Sequence, residues 1–222
     1  FSRWIAVFTG DIGSAYRTLW EGIANSVVLA IVTVVLVMVL LVPTMILVTL
    51  RFSGLKRVLE FLCLLPLTIP AIVLVVGLAP VYQVVGRLAG SGAWTLAFAY
   101  GVLVLPFAYR AVQSNIDSID IITLSEAARS LGASWPTVVL SVLVPNLRRG
   151  LLAAAFISVA VVLGEFTVAS LLSRTTLQTA LVIASKADAF VAVIFALLAL
   201  LFAFVLLLVI GRIGGGRTRR TT

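Results

Sequence analysis

The chain alternates between long uninterrupted apolar runs and short polar clusters. Five runs stand out: Asn25–Leu50, Phe61–Val85, Ala93–Tyr109, Leu151–Ser173 and Ala189–Gly211. Each approaches or exceeds the ~20 apolar residues that a helix needs to cross a bilayer. None shows the two-residue alternation of a membrane β-strand, and lipid cannot satisfy free backbone groups, so the runs predict helices. The pattern predicts an all-α membrane protein with about five transmembrane helices over residues 25–212. Residues 1–24 place Trp4, Phe8, Tyr16, Leu19 and Trp20 among polar residues, the pattern of an extracytoplasmic, interfacial segment. Residues 213–222 are rich in Gly, Arg and Thr and predict a disordered cytoplasmic tail.

Composition strengthens the membrane reading. The chain is 62% hydrophobic and 11% charged, with a mean hydropathy of +1.24. Soluble domains run near 45–50% apolar and about 25% charged, so too little polar surface remains here to face water. The net charge of +8 sits in clusters flanking the runs and forms no basic stripe, which argues against a nucleic-acid partner. With the C-terminus placed in the cytoplasm, eleven Lys and Arg fall inside and five outside. The positive-inside rule selects that orientation. The single cysteine, Cys63, allows no internal disulfide, and no histidine is available as general base or metal ligand. No internal repeat is visible. The sequence opens on Phe1 without a signal peptide, so we expect it to begin inside a longer chain.

Prolines interrupt three of the runs: Pro43, then Pro66, Pro70 and Pro80, then Pro106. Each removes a helix hydrogen bond and favours a kink. Two readings stay open, ordinary tolerance of proline in membrane helices or kinks that shape a path able to open and close.

The stretch between the third and fourth runs, residues 114–149, is the most informative. Asp120 is placed to cap a helix of about 11 residues, and Gly132 suits the left-handed position that ends one. Ser134 then caps a second short helix, with Pro136 tolerated in its first turn. A helix–turn–helix lying on the cytoplasmic face follows, with Ala127 and Ala128 giving it a small-residue surface. The wording Glu126-Ala127-Ala128, Gly132 and Val142-x-Val144-Pro145 resembles the EAA loop of bacterial binding-protein-dependent ABC importer permeases. The two valines stand where the consensus has Ile and Leu. The resemblance covers about residues 25–212.

That resemblance implies a permease subunit in the bacterial cytoplasmic membrane, multi-pass, with no catalysis of its own. Its loop would be a coupling helix in a groove of a separate ATPase, with Glu126, Ala127, Ala128, Gly132 and Pro145 at the joint. The implied partners are an ATPase dimer, a second permease subunit (identical or paralogous), an extracytoplasmic solute-binding protein and membrane lipid. The chain has no phosphate-binding G-x-x-x-x-G-K-[ST] loop, so ATP and Mg would be bound by the ATPase, and this chain would carry no cofactor. Such permeases often have a further N-terminal helix ahead of these runs, so we expect this sequence to be part of a longer chain or the second half of a fused permease.

Glu165 lies about 14 residues beyond Leu151, about 21 Å along a continuous helix. A charge inside the membrane is costly and should face the bundle interior or a wet cavity. Glu165, with Phe166 and Thr167 beside it, either lines the translocation path and gate or ties helices together. The wording of the loop and Leu163-Gly164-Glu165-Phe166 resembles the polyamine, ferric-iron, thiamine and sulfate branch of the family. An acidic residue in the path points within that branch to a polyamine such as putrescine or spermidine. A secondary transporter or channel explains the spans and Glu165 but gives the spaced loop motif no purpose. An intramembrane enzyme finds neither histidine nor paired aspartates to work with.

Overall fold

The structure is a computed structural model that describes residues 14–187 and 189–214. The described residues form helices and turns, with no strand among them. The first helix, α1 (Ser14–Arg51), runs unbroken for 38 residues. At 1.5 Å per residue it is about 57 Å long, far beyond a hydrocarbon core of about 30 Å. The interfacial segment expected to end at residue 24 therefore continues, from Ser14, into the first span. The physical reason is tertiary: Leu19 is fully buried against Ala180, Ala184, Ile194 and Phe195. The remainder of that segment, residues 1–13, lies outside the described residues.

The second apolar run does not form one helix. Helix α2 (Lys56–Leu64) gives way to a tight turn over Leu65–Thr68, and α3 (Ala71–Ala89) begins afterwards. Pro66 and Pro70 lack the N–H that would continue the ladder, and Pro70 pushes Ile69 to the extended φ −104°, ψ 119°. After a turn over Ala93–Leu96, α4 (Ala97–Asp117) follows, with Pro106 inside it. This helix runs eight residues past the expected end at Tyr109, so residues 114–117 form its last turn.

Two short helices follow, α5 (Ile121–Ser130) and α6 (Trp135–Asn146). Helix α7 (Arg148–Gly164) meets α6 at a bend of 74°. The fourth run also breaks. It ends at Gly164, and a five-residue helix, α8 (Thr167–Leu171), comes after. Helix α9 (Leu177–Ala187) occupies residues expected to be an outer loop, and α10 (Ala189–Gly214) covers the fifth run. Residues 215–222, most of the expected tail, fall outside the described set.

Among the described residues, three helical stretches are long and apolar enough to cross a membrane, Arg17–Arg51, Ala71–Ala89 and Ala93–Asp117. A fourth is added if the bent α6–α7 pair is one broken span. This criterion gives three or four spans among the described residues where five were expected, and α10, a further apolar helix of 26 residues, covers the fifth run.

Helices α1, α4 and α7 pack together as the centre of the bundle, with Val37, Met45, Val104, Ala108, Val112, Leu147 and Ala154 in one core. Small residues permit the close crossings. A Cβ on Gly101 would lie 3.1 Å from Leu36, and one on Gly22 would lie 2.7 Å from the Cβ of Ala180. Without a hydrophobic gain between lipid-facing helices, such close backbone packing is a main source of association.

Candidate functional site

The loop between α4 and α7 is held from both ends. The Asp120 carboxylate accepts from the Thr123 amide at 3.1 Å and from the Thr123 hydroxyl at 2.7 Å, capping α5. These bonds, the hydroxyl first, hold the Asp120 carboxyl below the usual carboxylate range. A carboxyl lowered in the folded state stabilises it above the ordinary aspartate range, and the contribution is lost as pH falls through the lowered value. The first turn of α5 should therefore fray in acid below pH ~4. Faster hydrogen exchange at the Thr123 amide is the expected signal, and an unchanged rate would mean that the cap is dispensable.

At the other end of α5, Gly132 takes φ +85°. The Gly132 amide donates to the Arg129 carbonyl at 2.9 Å and the Ala133 amide to the Ala128 carbonyl at 3.1 Å. This pair of bonds is the left-handed helix stop. Ser134 then caps α6, its hydroxyl 2.9 Å from that of Thr137, and Pro136 sits in the first turn. The middle of α6, Val138–Leu143, is wound as a π-helix, and Pro145 lies in its last turn.

Inward, Ile121, Ser125, Val138 and Leu143 are buried. Outward, Glu126, Ala127, Gly132 and Pro145 are exposed, and Ala128 is half-buried. The loop also reaches α1 through an aromatic ring. The Arg51 and Arg129 guanidiniums lie 5.4 and 5.3 Å from the centre of the Trp135 ring. At its exit, the Gly150 amide donates to Asn115 Oδ1 at 3.0 Å, locking the start of α7 to the end of α4.

The second candidate region is the break at Glu165. This residue is not within a helix: it has ψ 128° and follows the last turn of α7. Its Oε1 accepts from the Thr167 amide at 2.7 Å, and its Oε2 from the Val168 amide at 2.9 Å. Across the break, Gln178 Nε2 donates to the Leu163 carbonyl at 2.8 Å. Irregular backbone at membrane depth is tolerated only where its polar groups find partners, and Glu165 and Gln178 supply them. Phe166 is exposed and Thr167 half-buried. The carboxylate thus has a local role as a cap.

Glu165→Gln retains one oxygen acceptor and should assemble and transport close to wild type. Glu165→Ala leaves two amides unsatisfied, at about 1–3 kcal/mol each for buried groups, and should lower the amount of folded protein. Transport lost in Glu165→Gln with normal assembly would instead assign the charge to the path.

Several residues around the break escaped the sequence reading. Asn25 Nδ2 donates to the Thr175 carbonyl at 2.9 Å, and the Leu177 amide donates to the Ser26 hydroxyl at 2.8 Å. These bonds seat α9 against α1. Arg174 Nη1 donates to the Ser91 carbonyl at 2.8 Å, while its Nε is buried without a hydrogen-bond partner. The one available signal was the spacing of Leu177, Ala180 and Ala184 on a single face of an 11-residue segment too short to span.

Residues 45–218 match the family described as the binding-protein-dependent transport system inner membrane component. The chain belongs to this family. A curated relative, the phosphate transport system permease protein PstA of Pasteurella multocida (strain Pm70), is 29% identical over 115 residues. The aligned stretch covers 52% of this chain and 40% of that protein, so the chain spans well under half of the relative's length. As a member of an inner-membrane permease family, the chain is a transporter subunit and not an enzyme.

Proposed function

We propose that this permease forms the translocation path of an ATP-driven importer and that its α5–α6 loop engages a separate ATPase subunit. The observation that carries the reading is the loop itself. A rigidly capped helix presents one carboxylate, Glu126, and the small Ala127 on an exposed face while its other face packs on the bundle core. Such a face suits a groove on a partner, where a lever must be stiff to transmit motion. Family membership supports a binding-protein partner, and charge distribution supports a cytoplasmic C-terminus. A second permease subunit, identical or paralogous, completes the proposed assembly, with ATP and Mg held by the ATPase dimer.

For the cargo we favour a solute bearing a phosphate-type oxyanion over a polyamine. The polyamine reading rested on a free carboxylate in the path, and the Glu165 carboxylate is occupied by backbone amides. Arg174, with its unpartnered Nε, offers a cation near the outer end of α3. The phosphate-system name of the curated relative points the same way.

The test is purification in gentle detergent with identification of the bound subunits, for wild type and Glu126→Ala. Expected is an ATPase that co-purifies with wild type and is released or uncoupled in the variant. A chain that purifies alone, with the loop variant indifferent, would favour a secondary transporter. In cells, labelled phosphate uptake should depend on the chain and resist competition by putrescine; the converse pattern restores the polyamine.

A further inference from the structure

Beside the coupling loop, an open groove of about 420 Å³ runs along the end of α1. Its floor and walls are Pro43, Ile46, Leu47, Leu50 and Val139, and Arg51 and Trp135 close one end. From Pro43 to Leu50 the groove follows roughly 10 Å of helix. Pro43 and Leu47 are exposed on a helix that we read as a span. The wall is therefore open where lipid chains lie.

The closed end has an electrostatic peculiarity. Two guanidiniums, Arg51 and Arg129, approach the same indole, and neither forms an ion pair among the described residues. The π face attracts each cation, by about 0.5–1 kcal/mol at exposed sites, and Arg129 Nη1 also donates to the Ala133 carbonyl at 2.9 Å, but no carboxylate among the described residues neutralises either charge. An anion beside Trp135 would supply the missing counter-charge. An apolar trough that ends in two unneutralised cations beside an indole has the two-part chemistry of an acidic lipid.

From this we infer that the groove between α1 and α6 binds an anionic phospholipid, with an acyl chain on Leu47 and Leu50 and the phosphate at Arg51 and Arg129. Basic pockets between membrane helices on the cytoplasmic side recognise acidic headgroups in this way. The lipid would tie the loop to the first span, because Arg51 ends α1 while Arg129 and Trp135 belong to the loop. The orientation rests on the importer reading, whereas the pairing of groove and cations does not.

The test uses the importer with whatever subunits co-purify, reconstituted in phosphatidylcholine vesicles. A minor component is either brominated phosphatidylglycerol or brominated phosphatidylcholine, and bromine quenches nearby indoles. The difference in emission between wild type and Trp135→Phe isolates the Trp135 signal. Expected is stronger quenching by the phosphatidylglycerol, with roughly fivefold higher apparent affinity lost on removing one cation near an acidic surface, as in Arg51→Gln. If that variant does not assemble, the headgroup comparison in wild type alone decides.

Equal quenching by the two lipids overturns the inference. So does no quenching, which would mean that protein covers the groove. Selective quenching abolished by inorganic phosphate would replace the lipid with a free-anion site. An ATPase that co-purifies without a headgroup preference leaves the importer reading intact and removes this one; a preference without an ATPase does the reverse.

Discussion

Replacing Gly150 with valine is expected to leave the bundle unable to hold together at the exit of the coupling loop. A Cβ at this position would lie 2.7 Å from the Cβ of Asn115 and 3.0 Å from the carbonyl oxygen of Ala111. Neither atom is the far end of a flexible side chain, so α4 and α7 must separate. Separation also stretches the bond from the Gly150 amide to Asn115 Oδ1, now 3.0 Å. Overpacking of a tight core costs about 1–3 kcal/mol, and the weakened hydrogen bond adds about 1 kcal/mol. Alanine carries the same first carbon and should already lower the melting midpoint in detergent by several degrees, with valine abolishing a monodisperse peak. Gly77→Ala is the matched control, since nothing lies within 4 Å of a Cβ there. Equal behaviour of Gly150→Ala and Gly77→Ala would show that α4 and α7 can part freely, and the close crossing would lose its significance.

At Gly132 the expected result separates backbone from side chain. The residue sits at φ +85° with no atom within 4 Å of where a Cβ would stand. Crowding within the subunit therefore contributes nothing, and the penalty of substitution is conformational. A β-branched residue in this region is a genuine outlier, and the left-handed state costs roughly 1–2 kcal/mol for L-residues in general. Asparagine visits it routinely. If the turn orients the loop for its partner, Gly132→Val should reduce ATP-driven uptake about tenfold, the equivalent of ~1.4 kcal/mol. Gly132→Asn should keep most of the activity. Losing the turn would displace Arg129, whose Nη1 donates to the Ala133 carbonyl at 2.9 Å, and with it the stack on Trp135. Valine and asparagine failing alike, with both proteins folded, would point to the partner surface rejecting any side chain. Both transporting normally would mean that the turn plays no part in coupling.

The loop was the most legible part of the chain because its geometry is local. Asp120 caps through an amide three residues on, and Gly132 stops the helix through bonds no more than five residues back. Such short-range bonds leave a residue-type signature. The helical character of the apolar runs was legible for a similar reason, since lipid admits few other backbones. Function at the family level followed from the spaced motif, and the match over residues 45–218 supports that level only. The polyamine did not follow, because it required knowing where the Glu165 carboxylate points.

What the sequence by itself determined was the solvent, the helical class, the capped loop and the family. Each depends on composition or on interactions within a few residues. The tertiary structure alone decided where apolar runs become helices and where they break. Leu19 joins α1 because α9 and α10 bury it, and the break after Gly164 survives because Gln178, 15 residues away, reaches the Leu163 carbonyl. A continuous apolar run carries no mark of such a break, because hydropathy records transfer into lipid. Whether a polar backbone group finds a partner there depends on residues brought near only by folding.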